Sequence, residues 1–164
     1  EIWSWLWPAL LAAAIVLVVR IFFFEFTLVR GASMNPSFQN GEFLISEKLS
    51  YRSGAPQYGD VVVLRCSFER RHLIKRVVGR PGDRLYARDG VLYRNGSAVD
   101  EPYVLEKMSF DFGPVHVPAD CYYVLGDNRN NSEDSRFFGW IPAEDILARS
   151  VFRLWPPARM GLLE

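Results

Sequence analysis

Eighteen consecutive residues, Ile2 to Val19, carry no charged side chain and are almost all apolar. As a helix this run would be ~27 Å long, close to the ~30 Å hydrocarbon core of a bilayer. Trp3, Trp5 and Trp7 gather at one end and Phe22, Phe23 and Phe24 at the other, the arrangement of aromatic belts at two water–lipid interfaces. Pro8 sits early enough to bend such a helix without breaking it, and Arg20 is placed to snorkel toward the interface. A buried core helix and a cleaved signal peptide are the competing explanations. The second requires a polar cleavage region, and apolar residues continue well past Ala12, Ala13 and Ala14. Residues 1–24 are therefore expected to form a transmembrane anchor. Arg20 and Arg30 follow the span and Glu1 precedes it, so a simple positive-inside count would put the rest of the chain on the cytoplasmic side.

The remaining residues, 25–164, read as β. Phe43 to Ser46, Val61 to Leu64, Cys121 to Leu125 and Ala148 to Leu154 are short apolar or alternating runs bounded by turn residues. Leu85 to Arg88 and Val91 to Arg94 flank Asp89-Gly90, a dipeptide suited to a type I′ hairpin because both positions need φ > 0. Asn95-Gly96 supplies another turn. Pro142 to Leu147 reads as a short helix, with proline at its start and Glu144 and Asp145 in its first turn. The expected fold is mostly β: an N-terminal transmembrane helix followed by a compact, barrel-like antiparallel β-sheet domain. With 19 basic and 19 acidic residues the net charge is zero, so no nucleic-acid partner is expected. Cys66 and Cys121 form no CxxC pattern, and a four-ligand metal site would need both of them plus His72 and His116. No metal site is expected. The two thiols are either half-buried and free, or paired if the domain faces an oxidising compartment.

Four segments carry candidate chemistry. Gly31-Ala32-Ser33-Met34-Asn35-Pro36 presents a serine among small residues shortly after the span; by itself it is also an ordinary turn. Gly59-Asp60-Val61-Val62-Val63 is a turn leading into a buried strand, a structural role. In Leu73-Ile74-Lys75-Arg76-Val77-Val78-Gly79-Arg80-Pro81-Gly82-Asp83, strand periodicity puts Leu73, Lys75 and Val77 on one face and Ile74, Arg76 and Val78 on the other. If the Lys75 face is buried, desolvation favours its neutral amine, a competent base; an edge strand would instead point Lys75 at solvent. Gly126-Asp127-Asn128-Arg129-Asn130-Asn131-Ser132-Glu133-Asp134-Ser135-Arg136 is either a solvated loop or a polar network in which Asp127, Asp134, Arg129 and Arg136 pair.

In this order the four segments resemble those of the bacterial type I signal peptidases, from the anchor through Pro142. The Gly-Asp-Asn-Arg-Asn-Asn-Ser-Glu-Asp-Ser-Arg and Lys-Arg-Val-Val-Gly-Arg-Pro-Gly-Asp stretches are the most specific. The resemblance implies a membrane-bound serine endopeptidase with a Ser-Lys dyad: Ser33 as nucleophile, Lys75 as general base, Ser132 orienting the Lys75 amine, and Asp134 and Arg136 supporting the loop. It implies no cofactor and no metal. The substrate would be an exported preprotein, cut after a small-x-small motif such as Ala-x-Ala. Its signal-peptide end would bind as an added strand, against small pockets lined by Val29, Met34, Leu44, Val62 and Ile74. The protein would be a single-pass protein of the bacterial inner membrane with its catalytic domain on the outer, periplasmic face, which overrides the charge count.

A serine two positions before the nucleophile supplies an oxyanion donor in some members of that family; here the position is Gly31. Asn130 stands where the family loop often has Asp. The connection from Leu64 to Lys75 is short, and Asp100 to Pro118 is the place for a modest insertion. Apolar residues near Phe22 to Phe26, with Trp140 and Trp155, would let the domain rest on the bilayer. Two other functions fit the same sequence: a dedicated Ser-Lys peptidase for a plasmid-transfer or pilus protein, and an inactive module that only binds peptides. A histidine-based serine hydrolase fits poorly, because no G-x-S-x-G serine accompanies His72 and His116.

Overall fold

The computed structural model describes residues 2–66 and 72–163. The connection between Leu64 and Lys75, read above as short, falls largely on residues 67–71, outside the described residues. Glu1 and the side chain of Trp3 lie outside them too. Helix α1 spans Ile2–Phe23, with Pro8 inside it. Trp5–Phe23 has a mean hydropathy of 2.4 and none of its residues is buried. A helix of this length and composition is able to cross a membrane. Its last turn is capped by the domain: Lys48 Nζ donates to the Ile21 carbonyl at 3.4 Å and Arg52 Nη2 to the Phe22 carbonyl at 2.8 Å. Cations there also complement the helix dipole.

Two antiparallel sheets follow. The larger is curled and runs β1 (Phe24–Leu28), β2 (Phe43–Glu47), β11 (Ile146–Trp155), β3 (Val61–Leu64), β4 (Leu73–Gly79), β9 (Cys121–Leu125) and β10 (Ile141–Pro142), with β12 (Gly161–Leu162) added on β11. The smaller runs β7 (Ser97–Ala98), β6 (Val91–Arg94), β5 (Arg84–Arg88) and β8 (Phe112–His116). Two four-residue helices, α2 (Ser50–Ser53) and α3 (Ser135–Phe138), complete the elements used below. The mostly β, antiparallel expectation holds.

The hairpin reading also holds: Asp89 and Gly90 both have positive φ, as do Asn95 and Gly96. The helix expected over Pro142 to Leu147 does not form. Ala143–Asp145 makes one 3₁₀ turn, and the last strand begins already at Ile146. Three residues are too few to nucleate an α-helix, and Ile146 and Ala148 bury their side chains against β3 instead. Within the segment Asp100 to Pro118, Phe112–His116 forms β8 of the second sheet.

Both faces of the large sheet are covered, so all four residues of β3 are buried, consistent with its unbroken apolar run. One face packs Val62, Leu64, Val77, Val124 and Ile146 together. On the other, Val29, Met34, Phe38, Leu44, Val61 and Ile74 form a cluster under the loop after β1. A third cluster, with Val78, Leu85, Leu92 and Tyr123, joins the two sheets. Cys66 and Cys121 are free thiols.

Candidate active site

Ser33 lies in the loop between β1 and β2. The loop's neck is closed by backbone bonds from Val29 N–H to the Glu42 carbonyl (2.8 Å) and from Gly41 N–H to the Val29 carbonyl (2.9 Å). Within it Gly31 has φ +85°, a conformation that disfavours any side chain there. Its N–H donates to Asn40 Oδ1 at 2.9 Å.

Lys75 sits in the middle of β4, paired with Val62 of β3. It is not an edge position: six of the seven β4 residues are buried, and Lys75 is 3% exposed. Its Nζ donates to Ser33 Oγ at 2.8 Å. Taking an amine out of water penalises its charged form.

The polar loop after β9 fixes this pair from the side. The Asn128 backbone N–H donates to the Ser33 carbonyl at 3.0 Å, and its side-chain amide donates to the Ala32 carbonyl at 3.1 Å. Asp134 is fully buried; it accepts the Gly126 N–H at 3.0 Å and both arms of the Arg136 fork at 2.8 and 2.7 Å. It also caps α3. Of Asp127, Arg129, Asp134 and Arg136, only Asp134 and Arg136 pair with each other. Asp127 instead holds Arg76 of β4 in a two-pronged bond (2.8 and 2.7 Å), and Arg129 holds Glu101 (2.6 and 2.8 Å). Burial pulls the Arg129 pKa down, but the Glu101 carboxylate more than offsets this and the net shift is upward. Tyr103 has the Arg76 guanidinium 4.0 Å from its ring centroid, and burial followed by Glu101 pushes its phenol upward. Asn130 ties the loop to residues 107–109, accepting the Ser109 N–H and donating to the Lys107 carbonyl.

Ser132 is the exception. Its hydroxyl is buried and has no hydrogen-bond partner among the described residues. It packs against Gly126 so closely that a Cβ there would collide with Ser132 Oγ and with the Ser33 carbonyl oxygen.

A cleft of about 870 Å³ opens on Ser33 and Lys75. Gly31, Val29, Met34 and Ile74 line it. Leu44 and Val62 do not: both are fully buried, Leu44 packed with Val29 and Met34, and Val62, on the same face as its partner Lys75, packed with Leu64 and Val77. At one end Glu25 Oε1 meets His72 Nδ1 at 3.0 Å. No cluster of three His, Cys, Asp or Glu side chains able to hold a metal occurs among the described residues.

Residues 2–155 match the family described as signal peptidase, peptidase S26. The chain belongs to this family. The peptidase is thus a serine endopeptidase. It is 40% identical, over 98% of its own length and 77% of the relative's, to a probable signal peptidase I-2 of Synechocystis sp.. It is 38% identical to signal peptidase I of Bacillus caldolyticus, over 92% of its own length and 90% of the relative's. Among solved structures, a signal peptidase I from Enterococcus faecalis aligns with a TM-score of 0.53 at 30% identity, covering 57% of this chain and 95% of that one.

The peptidase has site residues that the sequence did not single out. Asn40 and Asn128 hold the serine loop, and Glu101 neutralises Arg129. Asn128 stood within a quoted motif without a role. Asn40 and Glu101 carried no local signal, because their partners lie 9 and 28 residues away.

Proposed function

We propose that the peptidase removes signal peptides from exported preproteins, cutting after a small-x-small motif through an acyl-enzyme on Ser33 with Lys75 as general base. The observation that carries this is the 2.8 Å hydrogen bond from a 3%-exposed lysine amine to a half-buried serine hydroxyl. A serine hydroxyl is too weak an acid to attack an amide unaided. A neutral Lys75 amine takes the Ser33 proton as Oγ bonds to the substrate carbonyl carbon, then returns it to the leaving amine. The acyl-enzyme is hydrolysed by a water activated in the same way.

Two further groups have a use in this scheme. The ammonium formed on Lys75 needs an acceptor, and the unpartnered Ser132 hydroxyl is the group we assign to that task. The oxyanion needs preorganised donors. The Ser33 N–H donates to nothing else among the described residues, whereas the Gly31 N–H is committed to Asn40. Asp134 and Arg136 act through Gly126, against which both Ser132 and the Ser33 carbonyl pack.

Substrate binding follows from the sheet. β1 is an edge strand, and β4 pairs with β9 only from Arg76 onward. Glu25–Leu28 and Leu73–Lys75 line the cleft, each hydrogen-bonded on one side only, to β2 and to β3, which leaves a backbone edge suited to strand addition by an extended peptide. Val29, Met34 and Ile74 crowd the walls near Ser33, which favours small side chains in the substrate. Residues 1–24 would anchor the enzyme in the bacterial inner membrane as a single span, with residues 25–164 forming the catalytic domain on the outer face.

The test is preprotein cleavage in detergent by wild type, Ser33→Ala and Lys75→Ala. Each substitution is expected to lower kcat by at least ~10³-fold; near wild-type turnover by either would sink the dyad. The kcat/KM profile should rise into the alkaline range as Lys75 loses its proton, whereas a single ionisation near pH 6.5 would point to a histidine base. A panel of Ala-x-Ala preproteins separates a general enzyme from one dedicated to a single substrate.

A further inference from the structure

The loop 29–42 has no regular secondary structure between its neck residues, yet it must hold Ser33 to within a fraction of an ångström of Lys75. Asn128 secures its front. Its back faces the C-terminal segment 156–163. Glu42, at the loop's base, is 2% exposed, and two guanidiniums share its carboxylate: Arg159 Nη1 at 2.6 Å from Oε1 and Arg153 Nε at 2.9 Å from Oε2. Their other arms turn to the loop backbone. Arg159 Nη2 donates to the Ser37 carbonyl at 3.1 Å and reaches the Pro36 carbonyl at 3.5 Å, and Arg153 Nη2 also donates to the Ser37 carbonyl. Arg153 lies 5.1 Å from the ring centroid of buried Phe38. Leu163 packs on the cluster of Val29, Met34 and Phe38, and its N–H donates to the Val151 carbonyl at 2.9 Å. Burial lowers the Arg153 pKa, Glu42 opposes this and Arg159 adds to it, as expected where two cations crowd one carboxylate.

We propose that Glu42, Arg153 and Arg159 are positioning residues for Ser33: a brace, delivered by the C-terminal segment, that fixes the nucleophile loop from behind. The matched family region ends at residue 155 and does not include Arg159. The carbonyls it holds belong to residues three and four positions beyond Ser33, and Met34 between them lines the cleft. A loop released on this side loses the alignment of Ser33 Oγ, while the β1 and β4 edges that receive the peptide stay in place. Binding is then spared and turnover is not, since a misplacement of about 1 Å is able to lower a rate ~100-fold.

The inference rests on Ser33 being the nucleophile, so Ser33→Ala is run in the same assay. With the full chain in detergent and a peptide substrate, Arg159→Ala should lower kcat about tenfold or more, with KM within about twofold. Arg159→Lys, which keeps the charge but not the fork, should recover part of that loss. Glu42→Gln, which leaves two guanidiniums without their carboxylate, should act in the same direction and serves if Arg159→Ala fails to fold. A melting curve accompanies each variant. Wild-type kcat with only a lowered melting temperature, or a loss confined to KM, overturns the brace. If Ser33→Ala keeps turnover, the nucleophile assignment falls instead; if it is dead while Arg159→Ala turns over normally, the brace alone falls.

Discussion

The two sheets differ in how far apart in sequence their partners lie. β5, β6 and β7 are consecutive and joined by the Asp89-Gly90 and Asn95-Gly96 turns. In the large sheet, β11 inserts between β2 and β3, pairing residues 146–155 with 43–47 and 61–64. Ser33, Lys75, Ser132 and the Arg76–Asp127 and Arg136–Asp134 pairs sit on the large sheet or on loops that leave it; Glu101, which holds Arg129, comes from the β7–β8 connection of the small sheet. The small sheet packs against its outer side through Leu85 and Leu92. Local pairing is entropically cheap to form but brings together only residues already close in sequence. The proposed site, which draws a serine from residue 33, a lysine from 75 and a loop from 126–136, has to be assembled by distant pairing. The large sheet thus carries the chemistry and the small one acts as support.

The strongest way to test that division is to break the tie between β4 and the polar loop. Arg76 is 6% exposed, forks onto Asp127, which is 1% exposed, and donates to the Gly59 carbonyl at 2.9 Å. Arg76→Ala leaves a buried carboxylate without its cation, which destabilises by ~3–5 kcal/mol. Urea unfolding should show this as a lower midpoint with an unchanged slope, and activity should fall with the folded fraction. A loss under about 1 kcal/mol would mean that this pair does not hold the large sheet to its loop.

Gly126→Ala comes next. Its new Cβ would collide with Ser132 Oγ and the Ser33 carbonyl oxygen, and that oxygen belongs to backbone already held by Asn128. We expect ~1–3 kcal/mol of overpacking strain and a larger effect on kcat than on stability, because the displaced atoms flank the dyad. Equal losses across KM, kcat and stability would instead place Gly126 among general packing positions.

What was legible in the sequence follows the same local-versus-distant line. The hairpins were readable because Asp-Gly and Asn-Gly announce their own backbone geometry. The buried strand β3 was readable from its unbroken Val61-Val62-Val63-Leu64 run, and β4 from Leu73-Ile74 and Val77-Val78 on either side of Lys75 and Arg76. β1 was not, since Phe24-Glu25-Phe26-Thr27-Leu28 alternates correctly but continues directly from an apolar helix. β8 was hidden by Gly113-Pro114, which normally argues against a strand. Motif resemblance supplied Ser33, Lys75 and the loop, yet not the partners of Asp127 and Arg129: Arg76 stood in the Lys75 motif with no role attached, and Glu101 lies outside the motifs. Glu42 and Arg159 are 117 residues apart, and nothing local marks either as half of a buried pair. The same blindness put Leu44 and Val62 among the cleft walls: apolarity says that a residue is buried, not whether it reaches the surface of a cleft.

The smallest expected effect lies in the small sheet and defines the other side of the comparison. Gly96 has φ +87° in the turn between β6 and β7, with open space where a Cβ would go. Gly96→Ala therefore meets no neighbour, and its whole effect is the strain of an L-residue in the left-handed region, ~1–2 kcal/mol. The melting temperature should fall by several degrees, while kcat and KM measured well below that temperature should match wild type. Because Asn95 beside it holds Asp83 and Arg84 at the start of β5, the strain has a route toward the third core cluster and so toward β4. A change in kcat would show that the route is used, and the small sheet would then count as part of the apparatus that sets Lys75 rather than as its support.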